Sequence, residues 1–179
     1  DAADRQTLPR FRSHGELNIG TKPKEGFRFD PVTDADREAE RVIRELLGAS
    51  YPDHSIMGEE FGTTGSGPTQ WILDPVDGTR PFLCGIPVWG TLIGLLHNGR
   101  ATMGMMSQPF TRERFWADGQ NAWSRGPAGE YRLATRKGIP LPQAILHTTS
   151  PEPIARNPQI AFEKLAERTL MTRYGGECY

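Results

Sequence analysis

The sequence predicts an α+β chain: a helix-flanked antiparallel sheet, followed by the opening units of an α/β region. Three observations carry this. Ala35, Ala39, Val42, Ile43, Leu46 and Leu47 recur at helical spacing. Stretches 88–96, 101–107 and 113–117 then have strand character, the first two joined by Asn98-Gly99, a pair that tolerates the positive φ of a tight hairpin turn. Beyond residue 138, where Gly138, Pro140 and Pro142 cluster, strand and helix begin to alternate.

In chain order, residues 15–30 are rich in Gly and Lys, contain Pro23, and are expected to form an exposed loop. Thr33 is placed to cap the first long helix and Gly48 to end it. Ser55-Ile56-Met57 reads as a short strand leading into Gly58-Glu59-Glu60, and 62–68 as a turn-rich loop. Trp71-Ile72-Leu73 is a buried strand running into Asp74-Pro75-Val76-Asp77-Gly78-Thr79. Weaker strands are expected at 121–124 and 130–133, then a strand at 144–148, a helix at 159–168 and a strand at 170–174. The expected division is an N-terminal α+β unit, 1–138, and the start of a second α/β unit, 139–179.

Composition narrows the function classes. With 21 basic and 22 acidic residues among 179, the chain is neither a disordered tail nor a basic nucleic-acid clamp. Its longest apolar stretch, Leu92-Ile93-Gly94-Leu95-Leu96, is far short of the roughly 20 residues a bilayer span requires. Cys84 and Cys178 show no C-x-x-C spacing, so neither a zinc site nor a disulfide framework follows, and a reducing cytoplasm is the expected setting. No signal-peptide pattern is present.

The hexamer from Asp74 to Thr79 carries the most chemistry. A strand ending in one carboxylate, with a second three residues on, places two anionic side chains at one strand terminus, and Pro75 limits how they splay. At about 4 Å two carboxylates repel by about 4 kcal/mol at an effective dielectric of 20, which a hard cation relieves. Mg²⁺ suits such oxygen sites, and the amides of Gly78 and Thr79, at the start of a short helix, offer a seat for phosphate. Read alone, the hexamer fits a tight turn equally well. Glu59-Glu60 fits a solvated surface, and Thr33…Asp36 a capping box. His14, His54, His97 and His147 lack ligand spacing, and Ser150 lacks a nucleophile elbow.

Together the pieces resemble the inositol monophosphatase superfamily. The resemblance rests on Asp30-Pro31-Val32-Thr33-Asp34-Ala35-Asp36, Gly58-Glu59-Glu60 and Trp71-Ile72-Leu73-Asp74-Pro75-Val76-Asp77-Gly78-Thr79, three motifs in matching order and spacing. It is strongest over 30–110. Within the superfamily, Pro87-Val88-Trp89-Gly90-Thr91-Leu92-Ile93 and Arg173-Tyr174-Gly175-Gly176-Glu177-Cys178-Tyr179 are most similar to the histidinol-phosphate phosphatase-like branch.

The resemblance implies a layered αβαβα sandwich and Mg²⁺-dependent, Li⁺-sensitive hydrolysis of a small phosphomonoester, with two or three ions per site. It further implies a homodimer, with no nucleic-acid or membrane partner. Carried over by position, it implies that Glu59 and Asp74 ligate a first metal with the carbonyl of Val76, and that Asp74 bridges to a second held by Asp77. Asp36, Glu59 and Thr79 form the catalytic set, Asp36 and Thr79 orienting the attacking water, while the Gly78 and Thr79 amides hold phosphate. Glu60 matches an electrostatic role, and Lys22 and Lys24 both match the loop lysine. Glu177, facing substrate, would pair with the ammonium of histidinol phosphate; inositol 1-phosphate is the alternative substrate.

One family feature is missing, a later Trp-Asp pair that supplies the last ligand of the second metal. The expectation is therefore a chain that continues past Tyr179, or else an inactive metal- and phosphate-binding fragment. A haloacid-dehalogenase-type phosphatase also uses Asp-Gly-Thr, but it needs aspartates at i and i+2, where Pro75 stands here.

Overall fold

The structure is a computed structural model that describes residues 1–13, 17–21, 31–150 and 156–178, with backbone alone over 156–160. Asp30, Lys22, Lys24, His14 and most of the expected 15–30 loop lie outside the described residues, as does Tyr179.

A short helix, α1 (Asp4–Thr7), precedes two small strands, β1 (Gly20–Thr21) and β2 (Pro31–Val32), which pair antiparallel. Helix α2 (Asp34–Ser50) follows, and its start is set locally. The Thr33 hydroxyl accepts from the Ala35 amide at 3.1 Å while Asp36 Oδ2 accepts from the Thr33 amide at 2.8 Å, a capping box that satisfies two end donors. Gly48 does not end the helix. Nothing crowds it, the helix runs on to Ser50, and Pro52 stops the chain by excluding helical geometry at Tyr51.

The main sheet has eight strands in the order β10-β9-β8-β7-β6-β5-β3-β4. These are β3 (Ser55–Gly58), β4 (Gly62–Thr64), β5 (Thr69–Asp77), β6 (Gly90–His97), β7 (Arg100–Gln108), β8 (Glu113–Ala117), β9 (Ala122–Gly126) and β10 (Gly129–Arg132). Two expectations need correction. The sheet is mixed rather than antiparallel, because β3 runs parallel to β5. This follows from the second correction: part of the expected 62–68 loop is strand β4, which folds back on the outer edge of β3 and lets the chain re-enter on the other side. The Asn98-Gly99 turn joins β6 to β7 as expected, with both residues at positive φ. After a 3-10 turn (Leu141–Gln143), β11 (Ile145–Thr148), α4 (Arg156–Ala166) and β12 (Met171–Tyr174) form a βαβ unit with a two-stranded parallel sheet.

Between β5 and its helices lie two apolar clusters. Ala39 and Ile43 of α2 pack with Ala3, Ile56 and Leu73. Ala35 packs with Phe11, Val76, Phe82 and Trp89, whose rings meet at 4.9–5.3 Å in tilted and edge-on pairs. Burying Phe82 is worth about 2–3 kcal/mol. This aromatic knot fixes helix α3 (Thr79–Leu83) at the end of β5, and so fixes Thr79.

Candidate active site

Strand β5 delivers two carboxylates to one place only because it is irregular. On a regular strand, residues three apart face opposite sides of the sheet. Here the register against β6 shifts, Asp74 pairing with Leu92 but Asp77 with Gly90, so β5 holds one extra residue. Pro75 sits in this bulge, where a missing amide costs no ladder bond, and its carbonyl accepts from Thr91 Oγ1 at 2.8 Å. As a result Asp74 and Asp77 line the same cavity.

That cavity, about 190 Å³, is also lined by Glu59, Val76, Gly78, Thr79 and Glu177. Every expected metal and substrate residue is thus at one wall or another. Asp36 stands behind it, 1% exposed. Its Oδ2 accepts from the Thr33 hydroxyl at 2.6 Å, and its Oδ1 from Thr79 Oγ1 at 3.1 Å. Burial pushes the Asp36 carboxyl above its usual range, while the bonds from Thr33 and Thr79 pull it back. The Thr79 hydroxyl also lies 3.1 Å from the Val76 carbonyl, so its single proton is shared between two acceptors and its lone pairs are left for another donor.

Gly78 turns the chain from β5 into α3 with φ 87°. A Cβ there would lie 2.8 Å from the Val88 carbonyl and 3.1 Å from Glu177 Cγ, so the turn is open to glycine alone.

The last described residues join the cavity wall beside Asp77 and Gly78. The Cys178 amide donates to Asp77 Oδ2 at 2.9 Å, across 101 residues, and Thr149 Oγ1 donates to Glu177 Oε2 at 3.4 Å. Burial and the charge of Asp77 raise Glu177 above the usual carboxylate range, while Thr149 and Arg80 act against the rise. Burial, then the bond and charge of Asp77, push the Cys178 thiol far up.

Sequence reasoning missed four participants: Arg80 and Thr149, which line the cavity; Cys178, which holds Asp77; and Glu40, whose carboxylate accepts from the Glu60 and Phe61 amides at 2.7 and 3.2 Å. Only Glu40 left a signal, since it lies four residues after Asp36, on the helix face that also buries Ala39 and Ile43. Glu60 lies next to the cavity-lining Glu59 but is not itself a lining residue.

The donor set fits a hard divalent cation. Glu59, Asp74 and Asp77 offer carboxylate oxygens around one small cavity, with Asp74 Oδ1 buried. Among the described residues no three His, Cys, Asp or Glu side chains stand together as a group that could hold a metal ion by themselves. Mg²⁺ asks for none, because it keeps several waters and takes one or two carboxylates.

Residues 9–176 match the inositol monophosphatase family. The chain belongs to that family. It is 42% identical over 154 residues to a histidinol-phosphatase of Mycobacterium tuberculosis, covering 84% of this chain and 57% of that protein. It is likewise 42% identical over 96 residues to an inositol-1-monophosphatase of Synechocystis, covering 52% of this chain and 33% of that protein. An inositol monophosphatase structure from Zymomonas mobilis superimposes with a TM-score of 0.82 at 34% identity, covering 100% of this chain and 66% of that one. The chain therefore has the inositol monophosphatase fold and spans a little over half the length of the mycobacterial relative. No helix among the described residues is long and apolar enough to cross a membrane.

Proposed function

We propose that this protein hydrolyses a small phosphomonoester with Mg²⁺, with histidinol phosphate as the first substrate and inositol 1-phosphate as the alternative. The observation that carries the reading is the single cavity shared by Glu59, Asp74, Asp77, Gly78, Thr79 and Glu177. Glu59, Asp74, Asp77 and the Val76 carbonyl would hold the cation, which when bound supplies charge neutralisation for the phosphoryl group and acidifies water.

The chain's own residues do the rest. The Thr79 hydroxyl, with its proton turned to Asp36 Oδ1, presents a lone pair that can accept a hydrogen bond from an attacking water, and Asp36 keeps that orientation by accepting the Thr79 proton. The Gly78 and Thr79 amides stand where phosphate oxygens would be received. Glu177, on the cavity wall, is the group to pair with an ammonium, and a neutral polyol has no such group. The histidinol-phosphatase relative supports this choice of substrate. Two or three ions per site, Li⁺ sensitivity, a homodimer, a cytoplasmic setting and a division of the chain near residue 138 belong to the same reading.

The test is phosphate release from both substrates at equal Mg²⁺, with and without EDTA. Cation binding without release from either would leave a metal- and phosphate-binding protein instead.

A further inference from the structure

Glu40 is an acid with no place in the chemistry above. It is 0% exposed, yet its carboxylate is crowded with donors. Arg44 Nε donates to Glu40 Oε1 at 2.7 Å, the Glu60 amide to Oε2 at 2.7 Å, and the Phe61 amide to Oε1 at 3.2 Å. Arg44 then reaches past it, donating to Thr64 Oγ1 at 3.0 Å and to the Gly62 carbonyl. The β3–β4 turn is thereby bolted to α2 from 60 to 64. Gly58 makes room for the bolt, since a Cβ there would collide with the Glu40 carboxylate.

Glu59 immediately precedes the bolted residues. Its amide donates to the Leu73 carbonyl of β5 at 3.2 Å, and the next two amides are held by Glu40. Its backbone is therefore fixed from both sides, by the strand that carries Asp74 and by the helix that carries Asp36. A carboxylate fully out of water is costly, and two amide bonds plus an arginine compensate it. An apolar residue would fill the space more cheaply but would leave two amides at the turn without acceptors.

We propose that Glu40, backed by Arg44, is a positioning residue that aims Glu59 into the cavity and so sets the affinity of its wall for a divalent cation. This rests on the cation-dependent reading above. Because Asp36 and Glu40 are one helical turn apart, α2 holds the register of both the Thr79 side and the Glu59 side of the site.

The experiment uses the 179-residue chain with Mn²⁺ as the probe, following free Mn²⁺ by electron paramagnetic resonance and amide hydrogen exchange in the cation-free protein. Two variants separate position from charge. Glu40→Gln keeps the shape but faces an NH₂ to one turn amide; Gly58→Ala keeps the charge but displaces the carboxylate. In both, protection at Glu60 and Phe61 is expected to fall at least about tenfold and the Mn²⁺ Kd to rise at least about tenfold, about 1.4 kcal/mol. Protection in β5–β7 should stay as in the unmodified chain. If either variant loses that protection too, Arg44→Lys, which gives up the fork but keeps the ion pair, should show the same paired loss in smaller degree.

Lost protection at the turn with unchanged Mn²⁺ affinity overturns the positioning role, since Glu40 then serves the fold alone. Weakened binding in Glu40→Gln but not in Gly58→Ala overturns it in favour of long-range charge. An unmodified chain that binds no Mn²⁺ overturns the cation reading itself, and the positioning role with it.

Discussion

Asp36 and Thr79, 43 residues apart in the chain, are joined through their side chains, Thr79 Oγ1 donating to Asp36 Oδ1 at 3.1 Å. The bond links the first turn of α2 to the first residue of α3. Thr79→Val keeps the shape and removes the hydroxyl, which should cost about 1 kcal/mol of stability by urea unfolding. Phosphate release should fall about 10²–10³-fold in kcat with little change in KM, as for loss of a group acting on the attacking water. Thr79→Ser should recover most of both.

Asp74 lines the cavity beside Asp77. Asp74→Asn is expected to fold, as near-UV circular dichroism will report, and to lose at least about a thousandfold in kcat/KM, about 4 kcal/mol. EDTA should stop release by the unmodified protein, and Mg²⁺ should restore it.

Glu177 separates the two substrates. Glu177→Gln should raise KM for histidinol phosphate about 10–100-fold, the worth of a charge-assisted hydrogen bond. KM for inositol 1-phosphate should stay nearly unchanged. Full histidinol-phosphate turnover in the variant, measured by steady-state kinetics, would remove Glu177 from substrate recognition.

Gly78→Ala tests the turn. It forces a positive φ on a residue with a side chain and drives its Cβ against the Val88 carbonyl. The expected loss is about 2 kcal/mol or more, read from denaturant midpoints.

The two cysteines should react at different rates. Cys84 is exposed, whereas burial and Asp77 hold the Cys178 thiol protonated. Because the thiolate is the nucleophile, a raised pKa lowers reactivity at any pH below it. Iodoacetamide at pH 8, followed by peptide mass spectrometry, should label Cys84 about 100-fold faster in the cation-free chain. Equal rates would mean that Cys178 has left Asp77.

What the sequence disclosed depended on distance along the chain. The Thr33–Asp36 box is a matter of neighbouring residues, and it formed as expected. Glu40 left only its helical spacing from Asp36 and was passed over, because its amide partners lie 20 and 21 residues away and an acid in an amphipathic helix ordinarily reads as its wet face. The bond from Cys178 to Asp77 spans 101 residues and depends on how the βαβ unit returns. Strand β4 escaped notice because a Gly-Thr-Thr run has no apolar alternation; its pairing with β3 makes it a strand. The acid motif was recognisable, but simple alternation along a strand would have separated its two carboxylates.

The register shift between Asp74 and Asp77 has a consequence for anyone who would transplant this acid pair. Copying the two side chains onto a smooth strand would set them looking away from each other, however faithful the lettering. Deleting Val76 would straighten β5 and leave the aspartates two apart, on one face of a regular strand, but without the Val76 carbonyl between them. What must be inherited here is a miscount in the backbone.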